Sequence, residues 1–595
     1  MALAVPALGQ DMPGPARGLF AAAKADLARG DGIAAEAHLR QAIDRGASRE
    51  AVAARMGEAL IDQNNLVKAR EWLGQGRFAP ADALHGWRML GLLERREGKL
   101  LAAARAYDRA LAIAPKSAPL WVDIGRLRYV GGEQVQAIEA ADRALAFDPQ
   151  DVRALEFRGQ LVRDQFGLVA ALPWFERALK LAPEDVSVLG EYAATLGELG
   201  RAKEMLVITR RMLEIEPGNP RAYFLQAVLA ARAGKPELAR SLMNRTKGKL
   251  RDMPAAILLE GALDFMVGNT AQAIEALDRL ARMQPGNERA RLLLAAAMMD
   301  AGHYRGVVQT FAAASARGDA PVYLLLQVGR AHELLGDRAA AAPLLDRAAR
   351  LTGRPIHPIL QEEPLGVLAA RWRDSPIAAT GVPYIRKLLD SGALAEAESV
   401  AERLRAAYPG SHAANSLAGD VQLVRLQAAA AVQRYEWAAR VRLDEGLLMR
   451  LTDGYGQSGR AAKAFPAIEG YLAGHPQSRT AIRLAASLAG LEGDWERARL
   501  LLEHLIVTGG ERDAHLLADL AFARMKAGDD AAAIAAAERA YALHRASGIT
   551  AQALGTVLAK SGKDSDRAGA LLKKARAIIG DNALLREARG LLAKS

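Results

Sequence analysis

Residues 121–149 read WVDIGRLRYVGGEQVQAIEAADRALAFDP. The stretch holds an aromatic at Trp121, small residues at Gly125 and Ala137, and a closing Pro149. None of these is informative alone, but all of them recur. Pro115, Pro149, Pro183 and Pro217 follow one another at 34-residue intervals, and Pro285 comes 68 residues later. Twenty-four residues before these prolines stand Gly91, Gly125, Gly159, Ala193 and Gly261; twelve before them stand Ala103, Ala137, Ala171, Met205 and Ala273. Small residues and prolines recurring at fixed phases mark an internal repeat of 34 residues.

Aromatics keep the same phase, with Trp87 and Trp121 four residues before Gly91 and Gly125, and Tyr107 and Phe175 four residues after Ala103 and Ala171. Together these positions resemble the tetratricopeptide repeat, whose pattern is W-x2-L-G-x2-Y, then A-x3-F, then P at a period of 34. The family's Tyr of the first helix is replaced here by Glu94, Arg128 and Val162. The resemblance implies an all-α fold, a right-handed superhelix or α-solenoid of about sixteen helix-turn-helix repeats, each burying its apolar stripe on the next. It also implies a protein-interaction scaffold without catalytic activity, with a concave groove lined by the first helix of each pair.

Extending the phase in both directions gives the expected domain plan. Residues 1–16 form an apolar N-terminus, and 17–352 form a first block of repeats that begins with the units 18–47 and 49–78. The ladder weakens where Arg251 and Asp319 fall at the proline phase. Residues 353–383 carry five prolines, and because proline removes a helical hydrogen bond and clashes with the preceding turn, the segment is expected to be irregular. Repeats resume over 384–580, and 581–595 is expected to form a capping helix.

Composition narrows the function classes. The 595 residues include no cysteine, which removes disulfides, thiolate zinc sites, iron-sulfur clusters and cysteine nucleophiles. The net charge is +11, but 62 of the 79 basic residues are Arg, scattered without a dense block, so nucleic-acid binding is not expected. No apolar run approaches the roughly 18 residues of a membrane span. Two readings of Met1–Gln10 stand: an export signal whose start lies further upstream, or a frayed apolar end. The resemblance favours the bacterial envelope slightly over the cytoplasm, in company with polysaccharide export or outer-membrane assembly.

Motifs of chemistry are weak. Gly454-Tyr-Gly456-Gln-Ser-Gly459 matches G-x-G-x-x-G, yet a helix rather than a strand precedes it and its glycines fall where an inter-helix turn belongs. His332-Glu333 begins like a zinc-protease helix but has Gly336 where the second imidazole should be. No catalytic residue, cofactor or metal ligand is expected.

The groove positions are more informative. With the resemblance placing positions 2, 5, 9 and 12 of each first helix in the concavity, three successive units present His85, Arg88, Leu92, Arg95; Pro119, Val122, Arg126, Tyr129; and Arg153, Glu156, Gln160, Arg163. Five of these twelve are Arg, whose planar forks suit carboxylates. The next three units are apolar, with Phe224 and Phe265 as candidate anchors. The expected ligand is an acidic-then-apolar extended segment of a partner protein, with an anionic polysaccharide as the alternative. A solvated arginine face and a Phe pair buried between repeats are the bland counterpart. Trp372, in Arg371-Trp372-Arg373, is a weak candidate for a partner contact in the proline-rich break, or else packs back onto the repeats.

Overall fold

A computed structural model describes residues 12–317, 320–350 and 363–593. Among the described residues there are 34 α-helices and no strand. They pair as antiparallel hairpins at the phase of the sequence repeat: Ala83–Arg96 with Leu100–Ile113, Ala118–Val130 with Gln134–Phe147, Val152–Phe166 with Leu168–Leu181, and so on to Gly548–Ser561 with Ser565–Ile579. The first member of each pair is called helix A below and the second helix B.

The small positions explain why the pairs close. A Cβ on Gly91 would stand 2.3 Å from the ring of Tyr107, one on Gly159 would stand 2.8 Å from Phe175, and one on Gly419 would stand 2.4 Å from Tyr435. In each case a helix A glycine is the socket for a buried helix B aromatic, and no methyl group fits between them. Ala103, Ala137, Ala171 and Ala273 are fully buried. Met205 holds the same position in another pair, and its sulfur lies 2.4 Å from where a Cβ on Gly197 would be. The flexible thioether therefore takes the room that the glycine leaves.

Turns and caps follow local chemistry. Asn64 adopts φ 57° between its helices, and Asn65 caps the short helix Leu66–Leu73 by accepting from the Lys68 amide. Asp31 does the same for Gly32–Asp44.

The segment 353–383 departs from expectation. Its part up to residue 362 lies outside the described residues, but Leu365–Asp374 and Ala378–Asp390 are helices. Pro364 takes the N-cap position, where no amide is needed, and Pro376 falls between the helices. Pro383 is inside a helix, at its sixth residue. Pro173 and Pro343 hold the same sixth place in Leu168–Leu181 and Arg338–Arg350. A proline there orphans the carbonyl four residues back, and in all three helices that carbonyl belongs to an exposed residue, Val169, Ala339 or Ala379. Water can satisfy it, so the helix survives. The apolar terminus expected at 1–16 is likewise helical from Gly14, while its first eleven residues lie outside the described ones.

The chain divides into two compact units. The first comprises the described residues up to Val162 with Ala171–Val188 and Tyr408–Ala413; the second comprises Arg163–Ala170, Leu189–Ala407 and the residues from Ala414 onward. They do not coincide with the blocks 17–352 and 384–580. In the first unit, the turn Tyr408–Ala413 rests on the start of Gln134–Phe147: the Val135 amide donates to the Gly410 carbonyl at 3.4 Å and the His412 amide to Gln134 Oε1 at 3.1 Å.

Candidate partner-binding faces

In the first unit, each expected groove arginine but Arg95 meets a carboxylate from a helix A. His85 Nε2 lies 2.8 Å from Glu58 Oε2. Arg88 donates through Nε to Asp123 at 2.7 Å and reaches the Pro119 carbonyl at 3.4 Å. Arg126 donates to Glu156 Oε2 at 3.3 Å, with its guanidinium 5.5 Å from the Phe157 ring centre, and Arg153 approaches the same oxygen at 3.7 Å. The other Glu156 oxygen accepts from the Ser187 hydroxyl at 2.7 Å. Arg95 is half-buried, and Tyr129 packs at the edge of the core cluster around Phe157 and Leu161.

Burial alone would push the Glu58 carboxyl up, but the hydrogen bond and charge of His85, with Arg55, outweigh it and hold the group below its ordinary value. The face is therefore a series of inter-repeat ion pairs rather than a row of unopposed cations. A small cavity of about 220 Å³ also opens in this unit, lined by Tyr107, Trp121, Ile124, Leu127, Arg128 and Arg143. Its tryptophan is fixed by donation to the Pro115 carbonyl at 2.8 Å and by the Arg143 guanidinium at 4.8 Å.

The second unit repeats the pattern. Arg163 lies 3.1 Å from Glu191 Oε2, and Arg221 donates to Glu191 Oε1 at 2.6 Å. Gly190 makes room for this: a Cβ there would stand 2.9 Å from the Arg221 guanidinium. The two arginines hold the Glu191 carboxyl below its ordinary value against the upward push of burial. Phe224 and Phe265 are half-buried, packed respectively against the clusters containing Met243 and Leu294. Trp372 is buried, beside Gly381 and with the Arg403 guanidinium 5.5 Å from its ring, so it serves packing and is not an exposed contact.

Sequence reading missed a buried carboxylate of this unit. Asp420 Oδ1 accepts from Tyr435 Oη and Arg450 Nε, both at 2.8 Å. Its signal was present: Arg126 to Glu156, Glu191 to Arg221, Asp420 to Arg450 and Arg483 to Asp513 are all 30 residues apart. Thirty is one period less one helical turn, the offset at which a long side chain on one helix A reaches back along the next. The G-x-G-x-x-G match is resolved too. Gly454 and Gly456 lie within the helix Glu445–Gln457, Gly454 against Val432, and Gly459 alone supplies the turn.

Helical hairpins stacked at a fixed period, with their helix A faces tied by ion pairs, define a helical-repeat scaffold for protein interaction. The tetratricopeptide-repeat family matches residues 122–186, 188–254 and 265–328. Over these residues the chain carries tetratricopeptide repeats. No curated protein matches it. Similar solved structures include the APC/C hetero-tetramer Cut9–Hcn1, at 13% identity and TM-score 0.40, covering 98% of this chain and 96% of that one. A tetratricopeptide-repeat protein of Parabacteroides merdae aligns at 21% identity and TM-score 0.32, over 41% of this chain and 97% of that one. The Pseudomonas aeruginosa pilF protein aligns at 21% and 0.29, over 35% and 96%. At these identities the likeness concerns the repeat fold alone.

Proposed function

We propose that the protein is a non-enzymatic scaffold that holds an extended, carboxylate-bearing segment of a partner protein against the helix A face of its first unit. The observation that supports this is the inequality around Glu156. Its side chain is 3% exposed and accepts from Arg126 and Ser187, whereas Arg153 stays 59% exposed at 3.7 Å. That distance is longer than a hydrogen bond, so the Arg153 fork is not spent on Glu156 and can grip a carboxylate in bidentate fashion. Glu58, Asp123 and Glu156 alternate with the basic groups, which favours a short peptide with one or two acids over a long polyanion such as an acidic polysaccharide.

Crosslinking in the native cell with a photoreactive residue at Gln160, followed by mass spectrometry, tests the reading. Arg153→Glu is expected to lower capture of a protein segment about tenfold and to flatten its salt dependence, with helicity unchanged. Capture that Arg153→Glu leaves intact would reject the face, and capture of a glycan would reject the protein segment.

A further inference from the structure

The second residue of four successive helices B is aliphatic: Ile33, Val67, Leu101 and Val135 stand at 34-residue intervals in the first unit. The first three are 72%, 77% and 78% exposed, far more than a hairpin's own core requires. Scattered exposed aliphatics are ordinary, but a row of them in register along one edge is a patch.

Val135 shows what this edge accepts. It is half-buried, and above it lies the inter-repeat turn Pro409-Gly410, joined by the amide-to-carbonyl bond from Val135 to Gly410. A Cβ on Gly410 would stand 3.1 Å from the Val135 Cβ and 2.6 Å from Gln136 Oε1, so a glycine is what lets the turn approach. The fourth place in the row is thus already an interface, and its occupant is a Pro-Gly turn between repeats.

The chain carries two more Pro-Gly turns between repeats, Pro217-Gly218 and Pro285-Gly286. Both are exposed, and nothing lies within 4 Å of where a Cβ on either glycine would be. They are 68 residues apart, the same two-repeat interval that separates Ile33 from Leu101. Each copy therefore presents an uncovered aliphatic edge and a pair of uncovered Pro-Gly turns at matching spacing.

We propose that Ile33, Val67 and Leu101 form a docking edge for a second copy of this chain, whose Pro217-Gly218 and Pro285-Gly286 turns seat on it as Pro409-Gly410 seats on Val135. Edge and turns are different surfaces, so the contact is heterologous, and copies add head to tail.

Sedimentation velocity on the full chain, from about 1 to about 100 μM, tests this. The wild type is expected to sediment faster as concentration rises. The triple variant Ile33→Asp, Val67→Asp, Leu101→Asp, with helicity checked by circular dichroism, is expected to associate at least about tenfold more weakly, and Gly286→Trp to weaken association from the other side. If the triple variant loses helicity, Leu101→Asp alone replaces it. Each variant keeps the surface the other lacks, so mixing the two should restore association and stop it at a heterodimer. A wild type whose sedimentation does not change with concentration overturns the proposal. So does a folded edge variant that associates like the wild type, or a mixture that stays monomeric.

Discussion

At Gly91 the fold depends on the absence of one methyl group. A Cβ placed there meets the Tyr107 ring at 2.3 Å, and the ring is buried and cannot swing aside. Gly91→Val is therefore expected to cost about 2–3 kcal/mol in urea unfolding, whereas Gly98, in open space at φ 77°, is constrained by its backbone and not by neighbours. Glu191 makes a prediction about pH. Its folded pKa is lowered below the ordinary 4.5, so it contributes stability that is complete above 4.5 and is lost as pH falls through the lowered value. Glu191→Gln should cost about 2 kcal/mol at pH 7, and the gap from wild type should close as pH drops below about 4.5 in thermal melts at stepped pH. The glycine sockets were legible in the sequence because they repeat at one phase. The ion pairs were not, because a count of arginines over one face does not pair Arg126 with Glu156, which stands on the same face 30 residues on, and Glu191, 28 residues from Arg163, lies outside the counted positions.

Whole helices were legible wherever a turn signal stood between two apolar stripes, as at Gly30-Asp31-Gly32 and Asn64-Asn65. The rule that proline breaks helices misled over 365–383, because it ignores where in the helix the proline falls. At the sixth residue the acceptor left without a donor is a carbonyl in the first turn, still open to water, and three helices of this chain use that allowance. Trp372 then has a defined role: it fills the space beside Gly381 and under Arg403, joining Leu365–Asp374 to the helices that follow. Trp372→Ala should leave a cavity and cost about 3–5 kcal/mol, read as faster amide exchange over 363–407.

Across the whole molecule, stability in a repeat protein is a sum of hairpin terms and nearest-neighbour interfaces, so damage should travel only as far as those interfaces couple. The core reflects this. The cluster around Leu39, Leu60 and Leu93 and the one around Ala521, Leu554 and Leu572 share no residue, and each draws on a few consecutive hairpins. A compact globular domain with a single core would respond to Gly91→Val by loosening everywhere. Here amide exchange measured by mass spectrometry should rise in Ala83–Arg96 and Leu100–Ile113, less in the hairpin on either side, and not at all in Gly548–Ser561 and Ser565–Ile579. Uniform loss of protection would mean that the hairpins fold as one cooperative block, and the nearest-neighbour account of this chain would have to be abandoned.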